Sequence, residues 1–212
     1  MRVLLALLLT LVAGAATAAD LKLLTAGAYK PAAVELVAAW QKQTGHTVIC
    51  SFRNGPHAST SVGIGVVVRA GAAKPDVSSV DSWKQALLAA KSIAYIDPAS
   101  GGSSGIYLAK RFEEMGIAAQ LKDKTVLVKG GLVAERVAKG EAEIGMQQMS
   151  ELIGVPGITV VGPIPLEVQH YTIYSAAISV ASRNPMEAAA LMRFLDNPTN
   201  GDILKSKGLA GP

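Results

Sequence analysis

Residues 92–116 read SIAYIDPASGGSSGIYLAKRFEEMG. SIAYI has the composition of a buried strand, and IYLAKRFEEMG that of a helix stopped by Gly116. The residues that join them, DPASGGSSG (97–105), admit three readings: a flexible Gly/Ser linker, a turn carrying a nucleophile, or a cradle for an anion. The flanks argue against the linker. The segment leads from a strand into its own helix, with further strand–helix units on both sides. Such alternation implies an α/β fold with mostly parallel, doubly wound sheets. DPASGGSSG is then a βα loop, and in open α/β sheets ligands bind at the carboxyl ends of strands.

Upstream, LKLLTAG reads as a short strand ending in a glycine turn. KPAAVELVAAWQKQTG reads as a helix with Pro31 in its first turn and Gly45 at its end. Its spacing puts Val34, Val37, Ala38 and Gln41 on one face. HTVICSF and VGIGVVVRAG are β-rich, and Gly63 and Gly65 inside that pattern mark close backbone packing. SVDSWKQALLAAK is a helix. Downstream come the strand KTVLV, the short helix LVAERVAKG and the strand EIGMQQ, then strands at ITVVGP and YTIYSAAISVAS. NPMEAAALMRFLDNP is a helix with Asn184 as its cap and Pro185 at its first position, and a short helix over about 199–207 follows.

The first residues, MRVLLALLLTLVAGAATAAD, place Arg2 before an apolar run from Val3 to Val12. Ala16 and Ala18 then stand as A-x-A, the layout of a secretory signal peptide cut after Ala18. The run falls short of the roughly 20 residues of a spanning helix. About 190 residues remain, enough for one large domain or two small lobes. Half the residues are apolar and 17% are charged, which excludes a disordered chain. The net charge of +4 is scattered, with no basic run, so it solvates the surface and marks no nucleic-acid footprint. Cys50, the single cysteine, reads as a buried structural thiol.

Gly101-Gly102-Ser103-Ser104-Gly105 matches the G-x-S-x-G of a nucleophile elbow, but four residues separate the serine turn from the strand. His170 is the only histidine downstream, so a triad would rest on it alone. Anion binding suits the loop better: glycines admit close backbone approach, serines donate, and a helix start presents free N–H groups. The plainer alternative is ordinary capping of that helix by Ser103 or Ser104. His46, His57 and His170 have no metal-ligand spacing, and no pair of carboxylates stands out for acid–base work. No cofactor is implied.

GIYLAK, GEAEIG and PMEAAALMRFLDNP, within the order of elements above, give the chain its family likeness. It resembles the periplasmic molybdate-type solute-binding proteins of ABC importers, along nearly all of the mature chain. The resemblance implies a two-lobed type II periplasmic-binding fold, with doubly wound sheets and crossing hinge strands around a ligand cleft. Lobe one would be 20–62 plus 172–212, and lobe two 70–165. VGIGVVVRAG and YTIYSAAIS would cross between them. The implied site takes the helix start at Ser104 with its loop, Ser100, Gly101, Gly102 and Ser103. It adds backbone N–H groups near Gly130 and Gly131 and the hydroxyl of Tyr174. The family's first hydroxyl donor falls on Ala28, and the second around Asn54 and Gly55, so two donors are missing. Few residues separate Phe52 from Val62, so lobe one lacks a βαβ portion.

The expectation is therefore an exported monomer that captures a small anion, molybdate-like or related, for an ABC permease. It is not expected to be an enzyme. The rivals are a small secreted hydrolase using Ser103 and a degenerate binding module without a transporter.

Overall fold

The computed structural model describes residues 18–52 and 60–210. The expected leader up to Thr17 lies outside the described residues, as do Asn54 and Gly55. In chain order the elements are β1 (Asp20–Thr25), α1 (Lys30–Thr44), β2 (Thr47–Phe52), β3 (Thr60–Val62) and β4 (Ile64–Arg69). Then come α2 (Val80–Ala89), β5 (Ile93–Ile96), α3 (Ser103–Glu114), α4 (Ala118–Lys122), β6 (Thr125–Val128) and α5 (Val133–Ala138). The last are β7 (Ile144–Gln148), α6 (Met149–Leu152), β8 (Ile158–Pro163), β9 (Thr172–Tyr174), α7 (Pro185–Leu195) and α8 (Gly201–Ser206).

The strands form three sheets. β1 and β2 pair in parallel, and β3 and β9 make a three-residue antiparallel ladder from Thr60↔Tyr174 to Val62↔Thr172. The largest sheet has the order β6-β5-β7-β4-β8. β5 is parallel to β6 and β7, whereas β4 runs against both of its neighbours. That sheet is therefore mixed, not mostly parallel, because β4 enters it directly from the β3 crossing. The crossing is also shorter than expected: most of VGIGVVVRAG is β4, buried in the large sheet. Of YTIYSAAISVAS only residues 172–174 are strand, and beyond them Ile178 and Val180 are exposed with no partner strand among the described residues.

The hydrophobic cores follow the sheets. One gathers Leu21, Tyr29, Leu36, Trp40 and Val48 with Tyr174, Leu191, Leu195 and Leu204. The other two flank the large sheet, one around Trp83, Phe112 and Met146, the other around Val67, Val133 and Leu152. Phe112 meets Tyr95 edge-on at 5.5 Å and Trp83 at 6.0 Å, aromatic contacts that fix α2 and α3 on β5.

Local chemistry accounts for the helix ends. Ser79 and Ser82 form a reciprocal capping box on α2. Gly45 ends α1 with φ +73°, the left-handed conformation that favours glycine. The buried face of α1 is Ala32, Ala33, Leu36, Val37 and Trp40, whereas Val34 is exposed. The expected face was rotated, because Leu36 and Trp40 carry more apolar area than Val34 and Ala38. Gln41 lies beside it, its Oε1 accepting the Val48 N–H at 2.6 Å. Asn184 does not cap α7 through its side chain; its amide donates to the Asp20 carbonyl at 3.1 Å. Cys50 is half-buried against the core of Leu36 and Trp40, and burial pushes its thiol pKa up, away from the reactive thiolate. Gly65 does mark close packing: a Cβ there would stand 2.7 Å from Met149 Cε.

Candidate functional site

The β5–α3 loop is built from its own residues. Asp97 Oδ1 accepts the Ala99 N–H at 2.9 Å, and Pro98–Ser100 make one 3-10 turn. Gly101 closes that turn with φ +80°. Ser100 Oγ donates to the Asp97 carbonyl at 2.7 Å, so its proton is held inside the loop. Gly105 lets α3 sit on the end of β5, since a Cβ there would lie 2.1 Å from the Ile96 carbonyl oxygen.

No side chain caps α3, so the capping role considered for Ser103 or Ser104 is not what these serines do. The first intrahelical bond is Ile106 N–H to the Gly102 carbonyl at 3.1 Å. The N–H groups of Ser103, Ser104 and Gly105 precede it and have no helical acceptor. Ser104 Oγ is buried and has no hydrogen-bond partner among the described residues. A buried hydroxyl without a partner costs about 1–3 kcal/mol. Ser103 and Ser104 line a cleft of about 390 Å³.

The cleft gathers Ala28, Ser100, Gly101, Gly102, Ser103, Ser104, Gly130, Gly131 and Tyr174, all expected at the site. Ala28 is buried in a 3-10 turn after β1 and offers only backbone. A Cβ on Gly130 or Gly131 would meet no atom within 4 Å. The Val133 N–H, at the start of α5, donates to Gln147 Oε1 at 2.8 Å. Tyr174 is buried beside Tyr29, ring centroids 6.4 Å apart, and its hydroxyl bonds to no described side chain.

Five lining residues with polar or charged side chains were not anticipated: Lys129, Gln147, Gln148, Glu151 and Thr172. Gln148 Nε2 donates to Ser103 Oγ at 2.7 Å, and Thr172 Oγ1 stands 3.2 Å from the same oxygen. The partners of Ser103 are thus an amide and a hydroxyl, neither of them a base. His170 instead stacks on Tyr107, ring centroids 4.6 Å apart. The triad that a Ser103 hydrolase needs is not assembled among the described residues. Glu151 rests against the turn after β1, where a Cβ on Gly27 would be 3.1 Å from its Oε1. Burial pushes its pKa up to about 7, with a bond from Gln147 pulling the other way. Among the described residues no group of three His, Cys, Asp or Glu is placed to hold a metal ion.

The sequence pattern of the bacterial extracellular solute-binding protein family matches residues 54–210. The chain belongs to this family. A curated relative is the aconitate isomerase of a Pseudomonas species, 40% identical over 147 residues. That match covers 69% of this chain and 55% of the relative, so the chain spans about half of the relative's length. Among solved structures, a substrate-binding domain assigned to a molybdenum ABC transporter of Clostridium difficile superposes with a TM-score of 0.68. The identity is 17%, over 92% of this chain and all of that one. The periplasmic molybdate-binding protein of Azotobacter vinelandii gives 0.60 at 18% identity, over 91% of this chain and 99% of that one. At such identities the likeness establishes the fold, a type II periplasmic-binding fold, and the solute-binding family places a small-solute cleft in it. No helix among the described residues is long and apolar enough to cross a membrane.

Proposed function

We propose that this solute-binding protein captures a small carboxylate anion in the cleft at the start of α3. Two lobes, 20–62 with 172–212 and 70–165, close over the anion, and an ABC permease receives it. The protein acts as an exported monomer, cut after Ala18. The observation that carries this reading is the start of α3, which no described side chain caps, with the buried Ser104 hydroxyl, unpartnered among the described residues, in the same cleft. Unpaired N–H groups and the positive end of a helix dipole attract an anion. The relative's name, aconitate isomerase, supports a carboxylate over a tetrahedral oxyanion. Ala28, where a hydroxyl donor was expected, supports the same choice.

A thermal-shift panel of aconitate isomers, other small di- and tricarboxylates, molybdate and sulfate tests this, since a ligand of the folded state raises Tm. Ser104→Ala should weaken the best ligand by roughly tenfold to a hundredfold, the loss of one hydrogen bond to a charged partner. Unchanged affinity would place the site away from α3. N-terminal sequencing of the exported protein should begin at Ala19; a chain beginning at Met1 would end the export reading.

A further inference from the structure

Glu151 is the only carboxylic acid lining the cleft among the described residues. Its side chain comes from α6, a single turn that follows β7 directly, and it is wedged against the Gly27 turn. An ionised carboxyl here repels a bound carboxylate, whereas a protonated one donates to it. A bound anion therefore favours the protonated form of Glu151 over the ionised one.

The groups facing it leave both forms accessible. Lys129 and Tyr174 are the other titratable side chains in the lining, and no cation forms an ion pair with Glu151 among the described residues. The charge of Glu151 helps raise the Tyr174 pKa, after desolvation, so the phenol stays a proton donor. On the adjoining turn, burial and the charge of Asp196 push Tyr29 up to about 12. On α5, which packs on α6, Glu135 is exposed and Arg136 is paired with Glu141 at 2.9 Å. Arg69, at the end of β4, lies beside Gly140. With a pKa near 7, Glu151 populates both the acid and the base near neutral pH, the condition for general acid–base work.

We infer that Glu151 is an acid–base residue and that the cleft moves a proton along the allylic system of an unsaturated polycarboxylate. This rests on the carboxylate reading above, and the allylic reaction on the name of the aconitate isomerase relative; the cleft itself contributes the acid–base residue. The ionised Glu151 takes a proton from a methylene carbon that lies between a carboxylate and a carbon–carbon double bond. The electron pair of the broken C–H bond delocalises over three carbons onto the carboxylate oxygens. The N–H groups at the start of α3 and the Tyr174 hydroxyl face that charge. The Glu151 carboxyl then returns its proton to the far carbon, and the double bond moves by one position. No water, oxidant or metal is consumed, and the base ends as it began.

The test follows the full chain with trans-aconitate in D₂O by proton NMR between pH 5.5 and 8.5. The methylene signal should be lost to deuterium and cis-aconitate should grow in, with a rate that rises through about pH 7 to a plateau. Glu151→Gln should slow exchange at least a hundredfold, and at pH 8 it should bind trans-aconitate more tightly than the parent. Thermal shift reports binding separately. If trans-aconitate stabilises the parent but neither exchanges nor isomerises, the proton-transfer inference is overturned and the binding reading stands. Equal exchange in parent and Glu151→Gln, or a flat pH profile in the parent, also overturns it. A shift with molybdate and none with trans-aconitate overturns both the inference and the choice of carboxylate.

Discussion

Gly105→Ala is expected to lower the unfolding free energy by about 3 kcal/mol or more, at the upper end for a single overpacking change. The added methyl group would stand 2.1 Å from the carbonyl oxygen and 2.8 Å from the carbonyl carbon of Ile96. Those atoms are backbone at the carboxyl end of β5, where Ile96 pairs in parallel with Val128 of β6. No rotamer change relieves the clash, so α3 must lift away from β5. Phe112 and Leu108 would leave their core, and Ser103 and Ser104 would leave the cleft with them. The variant should therefore lose ligand binding as well as stability. Gly101→Ala is the matched comparison. It has no atom within 4 Å of its added Cβ, and its only penalty is φ +80°, about 1–2 kcal/mol. Urea unfolding separates the two. Equal losses would mean that α3 and β5 adjust freely and that Gly105 is no constraint on the site.

The contrast between these two glycines marks what was legible in the sequence. That DPASGGSSG is a βα loop followed from local pattern alone, because a strand, two glycines and a helix are contiguous. Its place at a cleft followed from a general property of α/β sheets. What each glycine does was not legible. Gly105 matters because of one carbonyl nine residues upstream, a tertiary approach that no local rule encodes. The face of α1 was missed for a related reason: Val34 fits a helical spacing, but larger residues one step round the helix decide which side is buried. The mixed order of the large sheet depends on where the chain crosses at β3 and β9, six residues in all.

The site shows the same division. Residues brought to the cleft by backbone position, such as Ser104 and Tyr174, could be placed once the family order was seen. Lys129, Gln147, Gln148, Glu151 and Thr172 carry no spacing that announces them. One signal was present. The strand IGMQQ is buried at all five positions yet ends in two glutamines, and polar residues at the carboxyl end of a buried strand are out of place unless they serve a site. Glu151 follows three residues after Gln148. Reading that strand end as a site would have led to the carboxyl, although its burial is a property of the fold.

That burial has a consequence measurable without any ligand. Glu151→Gln should be more stable than the parent above neutral pH and close to it near pH 4.5. Folded Glu151 titrates near 7, against an ordinary value of 4.5 that the unfolded chain retains. Between those limits the folded protein keeps a proton that the unfolded chain has released. Stability contributed by this group is therefore full below about 4.5, falls as the pH rises, and is gone above about 7. A gap of about 2.5 pH units corresponds to roughly 3 kcal/mol, and the partial exposure of the side chain reduces it. Glutamine has nearly the same shape and no charge to bury, so it removes the slope. For a chain of this size each kcal/mol moves Tm by about 2–4 °C, so the variant should melt several degrees higher at pH 8. Other titrating groups are common to both proteins and cancel in the difference. Melting curves that stay parallel from pH 4.5 to 8.5 would mean that Glu151 is solvated in the free protein. In that case the conflict between its charge and an incoming anion would arise only when the cleft closes.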